Sequence, residues 1–254
     1  MQNKPSVCII GLGKMGNFFY RELTRLGYAV FVFDKGERLN TDIFKKTEII
    51  LLCVPIGALK SALEDVMPFL ESARHILSDI TSVKVYPMDY MQEVFDGSVV
   101  GTHPLFGPDP DPSDMKAIIV PGKGADEQAC KAIERLYIDM GCSVFRSGAR
   151  EHDHGVGVAQ SLNFAVSAAF FSLLARKEGI RHFLTPSFKR HLEAARKHLT
   201  TDKEMFCEFT AQNPEFNGAL EEYRGIVNEM LQGDLKKISD EAAIWYNNYS
   251  LYLG

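Results

Sequence analysis

The chain has 254 residues, of which 46% are hydrophobic and 24% are charged, so it can bury a sizeable globular core. Its formal net charge is −5, and it has no cluster of basic residues of the kind that neutralises nucleic-acid phosphates. We therefore expect a globular protein with no nucleic-acid partner.

The five cysteines include no CxxC pair, and an odd number without metal-ligand spacing indicates a reducing compartment. The first apolar run is too short for a signal peptide, and no apolar run approaches the ~20 residues that span a bilayer. The histidines show no HExxH or other ligand spacing. These features predict a cytoplasmic protein with no membrane partner and no metal site.

Short apolar strands alternate with amphipathic helices through the first half of the chain. Because the strands are apolar along their whole length, we expect a mostly parallel sheet covered by helices on both faces. The predicted strands are Ser6–Ile10, Tyr28–Phe33, Glu48–Val54, His75–Asp79, Ser98–Thr102, Lys116–Val120 and Ser143–Arg146. The predicted helices between them are Lys14–Leu26, Ala58–Phe69, Val85–Val94 and Asp126–Met140.

The alternation stops near residue 148, and only helical periodicity follows. The helical patterns cover roughly residues 151–178, 186–199, 202–211, 214–232 and 234–251. This change of class predicts two domains, an α/β domain of Rossmann type over residues 1–149 and an all-helical domain over residues 150–254. Five amphipathic helices are too many for one short domain to bury alone, which favours a homodimer formed through the helical domain.

A glycine-rich turn follows the first predicted strand and opens the first helix. In the GxGxxG pattern the first glycine permits the tight turn, the second lets a pyrophosphate approach the backbone, and the third lets helix and strand pack closely. Asp34 ends the second strand, where a carboxylate binds the ribose hydroxyls of NAD and repels the 2′-phosphate of NADP. Lys35 and Arg38 are the residues that could instead hold such a phosphate. The turn itself consists of Gly11, Leu12, Gly13, Lys14, Met15 and Gly16.

Three further segments lie where predicted strands end, which is the edge at which open α/β sheets bind ligands. Val54 and Pro55 follow the third strand, the segment 79–84 follows the fourth, and the segment 101–109 follows the fifth. In the last segment His103 stands between a strand and a proline-rich turn, and we expect it to lie outside helix and strand. A histidine satisfied within its loop is the alternative to a catalytic group.

The sequence resembles the prephenate and arogenate dehydrogenases of tyrosine biosynthesis. The motifs that carry the resemblance are GLGKMG, VPI, DITSVK, GTHPLFGPD and the Glu151-His152-Asp153 triplet, in the family's order across residues 6–160. The combination of HPLFGPD with SVK is specific to this family among Rossmann proteins. The resemblance implies a Rossmann domain followed by a helical domain that builds an intertwined dimer.

The resemblance also implies a chemistry, the oxidative decarboxylation of a cyclohexadienol. The hydrogen on ring C4 leaves as hydride to NAD⁺, the ring carboxylate leaves as CO2, and His103 accepts the proton of the 4-hydroxyl group. Ser82 is implied to hydrogen-bond near His103 and the nicotinamide, and Lys84 to support the same loop. His152 and Asp153 read as capping and packing residues at the start of the interdomain helix.

The helical domain departs from the family pattern at the positions expected to bind substrate. Phe164 stands where the family carries a histidine, and Asn163 before it could contact the substrate side chain. When the chain is anchored on Asp202, Lys197 occupies the position of a carboxylate-binding arginine, with Arg196 adjacent. A solvated helix face is the alternative reading of these two cations. Phe206 occupies the position of a downstream aromatic residue that is often tyrosine, and these changes predict an altered substrate pocket.

Several functions are therefore compatible with the sequence. The leading one is an NAD-dependent dehydrogenase that converts prephenate to 4-hydroxyphenylpyruvate. Arogenate or 4-amino-4-deoxyprephenate is the alternative substrate, because of the residues at positions 164 and 197. A non-catalytic nucleotide-binding regulator is the alternative from another class. A hydroxy-acid dehydrogenase is disfavoured, since the second domain carries no motif with a catalytic lysine or a His–Asp pair.

Overall fold

A computed structural model describes residues 4–36 and 41–250, and the chain forms two compact units, Met1–Val156 and Gly157–Gly254. The sequence places the boundary after residue 149. The units divide later because helix α5, Ala149–Val156, contacts helix α3, Val85–Val94, of the first unit.

The first unit is built on a seven-stranded sheet with the strand order β2-β1-β3-β4-β5-β6-β7. The order reverses between β1 and β3, which makes the carboxyl ends of these two strands the point at which open α/β sheets bind ligands. Every neighbouring pair is parallel except β5 and β6. The strands are Val7–Ile10, Val30–Phe33, Ile49–Leu52, Ile76–Asp79, Ser98–Pro104, Lys116–Pro121 and Ser143–Arg146.

Helices cover both faces of the sheet and create two apolar layers. One layer includes Phe19 of α1 and Tyr137 of α4, whose rings pack edge to face with 5.7 Å between their centroids. The other includes Leu63 of α2 and Met91 of α3, both fully buried. Burial of each such side chain contributes about 1.5–3 kcal/mol to folding. The helices that cover the sheet include α3 and three others, whose bounds are α1, Lys14–Arg25, α2, Leu59–Val66, and α4, Glu127–Asp139.

The fifth strand is longer than the sequence predicts and includes His103. The expectation that His103 has no strand partner was wrong, because β6 runs antiparallel to β5 and places Ile118 opposite His103. Pro104 ends the strand, as expected for a residue that has no N–H to donate to a neighbouring strand. His103 therefore has a backbone fixed by the sheet, one residue before its carboxyl edge.

The second unit is all helical in its described residues. The predicted continuous helix over 151–178 is interrupted by a π-helical turn, Gly157–Leu162, and a second π-helical turn, Lys197–Thr201, follows α7. Such turns are rare and frequently occur at functional sites. The helices of this unit are α6, Asn163–Ala175, α7, Pro186–Arg196, α8, Lys203–Gln212, α9, Phe216–Gln232, and α10, Leu235–Ser250.

One helical segment, Ala149–Ala175, is long and apolar enough to cross a membrane by length and composition alone. It contains an 18-residue window with a mean hydropathy of 1.5, of which 17% is buried. The sequence prediction concerned uninterrupted apolar runs, whereas this segment qualifies through the mean hydropathy of its window. Uncharged small and polar residues such as Ser161 and Asn163 interrupt the apolar run without adding the charge that would disqualify it.

Candidate active site

The glycine-rich turn joins β1 to α1 at the carboxyl edge of the sheet. Gly11 has a φ of +98°, a conformation that L side chains rarely adopt, and a Cβ there would lie 2.8 Å from Cγ1 of Val54. A Cβ on Gly16 would overlap the carbonyl oxygen of Gly11. A Cβ on Gly13, in contrast, would meet nothing within 4 Å. Two glycines are thus required by internal packing, whereas the third leaves open space beside the backbone.

The N-terminus of α1 lies directly after this turn. Among residues 4–36 and 41–250 no side chain caps this terminus, and its first turn contains no acidic residue. The first N–H groups of a helix have no partner within the helix and carry the positive end of its dipole. The turn and the helix together therefore fit an anionic group such as a pyrophosphate.

Asp34 follows β2 and lies beside the glycine-rich turn. The N–H of Gly11 donates to the carbonyl of Phe33, which brings the ends of β1 and β2 together. Asp34 is half-buried, and its Oδ1 accepts from the N–H of Lys35 at 2.9 Å. This placement suits a carboxylate that binds ribose hydroxyls. Arg38, the cation that the sequence offers as a phosphate partner, lies outside the described residues.

The segment after β3 borders the same turn. Val54 is half-buried with its Cγ1 directed at Gly11, and Pro55 is exposed. The N–H of Cys53 donates to the carbonyl of Ile10, so this segment is held against the end of β1. The residues predicted to bind the cofactor from β1, β2 and β3 are therefore collected at one edge of the sheet.

His103 is buried, with 4% of its surface exposed, and it contacts a second histidine. Its Nδ1 lies 2.9 Å from Nε2 of His152, and Nδ1 of His152 lies 2.7 Å from Oδ1 of Asp153. Burial, together with the charges of His152 and Lys84, holds the pKa of His103 well below its usual range. Burial also lowers the pKa of His152, against the opposing effect of Asp153. Both imidazoles are therefore neutral near pH 7.

Asp153 is the fixed end of this chain. Its Oδ1 accepts from the N–H of Lys84 at 2.6 Å, and its Oδ2 accepts from the N–H of Val85 at 2.8 Å. These are donors at the N-terminus of α3, so the predicted capping role of Asp153 corresponds to what the structure shows, although the helix it caps is α3 rather than its own. His152 has no such capping contact and instead bridges Asp153 and His103.

A buried ion pair lies behind the same loop. Nζ of Lys84 is 2.5 Å from Oδ2 of Asp79 and 3.1 Å from Oγ1 of Thr81, and the two charged side chains are fully buried. Burial lowers the pKa of Lys84, and Asp79 opposes that shift. Thr81 also donates its N–H and hydroxyl to Asp79. The pair therefore holds the segment that leads from β4 into α3.

We expect the Asp79→Asn variant to be destabilised by about 3–5 kcal/mol, because Lys84 would then lose its proton or remain an unpaired buried cation. Urea unfolding followed by circular dichroism measures the effect. The double variant Asp79→Asn with Lys84→Met is the matched control and should recover part of the loss, since it removes both charges. A single variant as stable as the wild type would show that the pair does not hold this segment.

Ser82 lies half-buried in the turn between β4 and α3. Among the described residues the structure gives it no hydrogen bond to His103, whose Nδ1 is directed at His152 instead. The residue predicted to orient His103 is therefore not the one in contact with it. Its role toward a bound ligand stays a prediction.

The second unit brings together several of the positions singled out in the sequence. The rings of Phe164 and Phe206 lie 5.5 Å apart, and that of His198 lies 6.2 Å from Phe164 and 5.6 Å from Phe206. This cluster joins α6, α8 and the second π-helical turn. Lys197, which begins that turn, is exposed with its Nζ 3.8 Å from Asp202.

The remaining two candidates lie on the surface of this unit. Asn163 is exposed at the first residue of α6, immediately after the first π-helical turn. Arg196 is exposed at the end of α7, where its guanidinium lies 3.4 Å from Glu193. Each predicted substrate residue of the second unit is thus on or beside a π-helical turn, and both Arg196 and Lys197 have an acidic neighbour.

Sequence reasoning missed two contacts that define the buried part of the site. It gave His152 a packing role, although this residue bonds His103, and it did not pair Lys84 with Asp79. One signal was available, since the resemblance singles out the Glu151-His152-Asp153 triplet, and the structure buries its last two residues. No metal-binding cluster of histidine, cysteine or acidic residues occurs within residues 4–36 and 41–250.

A glycine-rich turn at a sheet switch point, with a carboxylate at the end of the neighbouring strand, defines a Rossmann-type nucleotide-binding domain. Residues 26–145 match the family described as the prephenate dehydrogenase nucleotide-binding domain. The match lies within this domain, and the resemblance to the prephenate and arogenate dehydrogenases seen in the sequence is confirmed.

The names of proteins similar to this chain are consistent with the match to the prephenate dehydrogenase nucleotide-binding domain. The chain is 27% identical to the T-protein of Haemophilus influenzae over 95% of its own length, but it spans only 62% of that protein. Two solved structures share the fold. A Synechocystis arogenate dehydrogenase matches 96% of this chain and 99% of its own at 17% identity with a TM-score of 0.80.

The second structure is a prephenate dehydrogenase from A. aeolicus in complex with hydroxyphenyl propionate and NAD⁺. It matches 98% of this chain and 96% of its own at 19% identity, with a TM-score of 0.74. At 17–19% identity, the structural similarity to these two proteins supports the fold of this chain and nothing more specific. The predicted architecture, a mostly parallel Rossmann-type sheet followed by helices, is confirmed.

Proposed function

We propose that the chain is an NAD-dependent dehydrogenase that converts prephenate to 4-hydroxyphenylpyruvate. NAD supplies, when bound, the acceptor for the hydride that leaves ring C4. His103 accepts the proton of the 4-hydroxyl group as the C4 oxygen becomes a carbonyl. Loss of the ring carboxylate as CO2 then returns an electron pair to the ring, and the phenol oxygen recovers the proton.

The observation that carries this proposal is the burial of His103 at the carboxyl edge of β5, in contact with His152 and with its pKa held well below the usual range. A general base must be unprotonated at the working pH and must have a free nitrogen, and a lowered pKa provides the first of these. One ring nitrogen of His103 is engaged by His152, which leaves Nε2 for a substrate proton. We propose that Ser82, in the neighbouring turn, contacts the substrate or nicotinamide.

The proposed cofactor is supported by the packing of the glycine-rich turn. The open space at Gly13 and the uncapped N-terminus of α1 fit a pyrophosphate, and Asp34 fits the ribose of NAD. The A. aeolicus structure of the same fold contains NAD⁺. We propose that Val54 and Pro55 border the same ligand, with the backbone of the turn from Gly11 to Gly16.

Arogenate or 4-amino-4-deoxyprephenate is the second candidate substrate. Phe164 and Phe206 supply apolar rings where the family pattern has groups that hydrogen-bond, and a substrate with a different polar substituent suits an altered pocket. The Synechocystis relative of the same fold is an arogenate dehydrogenase. The side-chain amine of arogenate and the ring amine of 4-amino-4-deoxyprephenate each differ from prephenate at one position.

The test is to incubate the purified protein with NAD⁺ and, separately, with prephenate, arogenate and 4-amino-4-deoxyprephenate, and to follow the absorbance of NADH. NADH formation with prephenate alone supports the leading proposal. Formation with only one of the other two assigns that substrate. No NADH with any of them, while calorimetry detects NAD⁺ binding, contradicts the dehydrogenase and favours a non-catalytic nucleotide-binding regulator.

We also propose that Lys197 or Arg196 holds a substrate carboxylate, with Asn163 near the substrate side chain. Replacing the responsible cation by alanine should raise KM about tenfold or more with little change in kcat, since a hydrogen bond to a charged group contributes about 1.5–3 kcal/mol. Lys197→Ala and Arg196→Ala serve as controls for each other in steady-state kinetics. Unchanged KM in both variants would show that neither residue contacts the substrate.

A homodimer is the proposed assembly, formed through the helical unit. Large apolar side chains are exposed on its last two helices, and the residues 60% or more exposed there are Leu231, Leu235, Ile244, Trp245 and Tyr246. Exposed apolar patches of this kind mark interaction surfaces. A second copy would also cover the apolar face of the segment Ala149–Ala175. Sedimentation should give the mass of two chains, and a monomer at assay concentration would contradict the proposal.

We propose that the protein is cytoplasmic. All five cysteines are free thiols, and Cys8, Cys53, Cys130 and Cys142 are buried, where they pack as small apolar groups. Free thiols are the common state in a reducing compartment. Fractionation of expressing cells, with activity in the soluble fraction, is the corresponding test.

A further inference from the structure

A chain of hydrogen bonds runs from the N-terminus of α3 to His103. Asp153 receives the N–H groups of Lys84 and Val85, His152 lies between Asp153 and His103, and every distance along the chain is between 2.6 and 2.9 Å. All three side chains of the chain are buried. These contacts are direct, at hydrogen-bond distance. Each imidazole nitrogen in them must therefore either donate a proton or accept one.

The direction of donation follows from the fixed end. The carboxylate of Asp153 accepts two backbone N–H groups and is therefore an acceptor toward Nδ1 of His152. A neutral imidazole carries one proton, so the Nε2 of His152 is left with a lone pair. That lone pair accepts the Nδ1 proton of His103, which leaves Nε2 of His103 without a proton.

We infer that His152 is a positioning residue that fixes His103 in the tautomer with its proton on Nδ1 and its base on Nε2. The inference rests on the proposed function, because a free Nε2 matters only if His103 accepts a proton from substrate. Asp153 affects His103 through His152, by fixing the tautomer of His152. The neighbouring Ser82 has no hydrogen bond to His103 among the described residues and does not supply this constraint.

The same chain can accommodate a transient proton on His103, although burial, His152 and Lys84 all lower the pKa of this residue. Once Nε2 is protonated, the imidazolium still donates from Nδ1 to His152, and Asp153 lies behind His152 to offset the new charge. Lys84 faces the pair as a cation and disfavours a permanent charge on His103, while Asp79 pairs with Lys84. These charges are compatible with a His103 that accepts a proton from substrate and later returns it.

A purely structural role for His152 gives different expectations. Its ring is 2% exposed and lies edge to face with that of His103, with 5.1 Å between centroids, so it also fills space. If filling space were its whole role, an apolar side chain of similar size would replace it without affecting the protonation of His103. The tautomer of His103 is therefore the property that separates the two roles.

The experiment uses full-length protein with histidines labelled with ¹⁵N and compares His152→Leu, His152→Gln and the control His154→Gln. His154 is exposed on the same helix. In the wild type and in His154→Gln, the nitrogen shifts should show His103 protonated on Nδ1 only. His152→Leu should give a mixture of tautomers. His152→Gln should restore the single tautomer, because its amide oxygen can accept from Nδ1.

Steady-state kinetics gives the second readout. His152→Leu should lower kcat by about 10- to 100-fold, the usual effect of losing a residue that orients a functional histidine, with KM for NAD⁺ and substrate nearly unchanged. His152→Gln should recover most of kcat. Normal kcat in His152→Leu, or a kcat loss that His152→Gln does not relieve, overturns the inference.

The two proposals fail in distinguishable ways. If the wild type is inactive with all three substrates but His152→Leu shifts the tautomer, the proposed function fails and the positioning contact stands. If wild-type His103 carries its proton on Nε2, the inference is wrong whatever the activity. That measurement needs no variant, so a His152→Leu protein that does not fold leaves the inference testable.

Discussion

We expect the His103→Asn variant to lose turnover by about 10²- to 10⁴-fold, which is the usual contribution of a general base. Asparagine has a similar polarity and can still hydrogen-bond His152, but it cannot take a proton at neutral pH. The affinity for NAD⁺ should be unchanged, because the residues expected to bind it lie on β1, β2 and β3. Single-turnover kinetics measures the loss, and calorimetry with NAD⁺ serves as the control.

The pH profile of the wild type provides a check on the same residue. Because the pKa of His103 lies well below its usual range, its neutral form persists as the pH falls. The groups that face it are His152 and Lys84, and both lower its pKa. The acid limb of kcat/KM should therefore lie below about pH 6.5 and should be absent in His103→Asn. Near-normal turnover in that variant would show that His103 is not the base.

The second large effect is expected at Gly13. A Cβ there meets no atom of the protein within 4 Å, and its φ of −63° suits any residue, so Gly13→Ala should fold with unchanged stability. The methyl group would occupy the space through which a pyrophosphate approaches the backbone. We expect the Kd for NAD⁺ to rise by about 10-fold or more, from the loss of one or two charge-assisted contacts. Calorimetry measures the change.

Gly16→Ala is the matched control for this prediction. Its Cβ would overlap the carbonyl oxygen of Gly11, so the helix and strand must separate, at a cost of about 1–3 kcal/mol. This variant should lose stability and NAD⁺ affinity together, whereas Gly13→Ala should lose affinity alone. A thermal melt distinguishes the two. If Gly13→Ala binds NAD⁺ normally, the turn does not approach a phosphate.

The first unit could be predicted closely from the sequence because its central strands β1 and β3 are buried on both faces. The strands β1, β2 and β3 are uninterrupted apolar runs, and α3 begins and ends at the predicted residues Val85 and Val94. The strand β5 was predicted too short, because His103 and Pro104 are not typical strand residues. Their extended conformation is imposed by antiparallel pairing with β6, a contact distant in sequence.

The second unit was less predictable for a physical reason. Helical periodicity gave the helices but not the π-helical turns Gly157–Leu162 and Lys197–Thr201, which insert a residue without changing composition. The exposed apolar faces of α9 and α10 leave little internal packing from which a register could be read. The substrate residues proposed in the second unit lie beside those turns. Helical periodicity is least informative there, so their positions were the hardest to predict.

The candidate site also contains some features that the sequence predicts and others that it does not. The glycine-rich turn and Asp34 could be recognised because their roles depend on backbone space and on sequence-local position. The bond between His103 and His152 could not, because it joins residues 49 positions apart and depends on how α5 packs against α3. Long-range polar contacts of this kind require the fold before they can be seen.

The central claim is that the turn after β1 binds the pyrophosphate of NAD while His103 faces the reacting substrate. A crystal structure with NAD⁺ and an unreactive substrate analogue tests it most directly. We predict phosphate oxygens on the backbone N–H groups at the start of α1, and Nε2 of His103 within hydrogen-bond distance of the analogue's ring hydroxyl. A dinucleotide bound elsewhere, or a His103 directed away from that hydroxyl, would contradict the account.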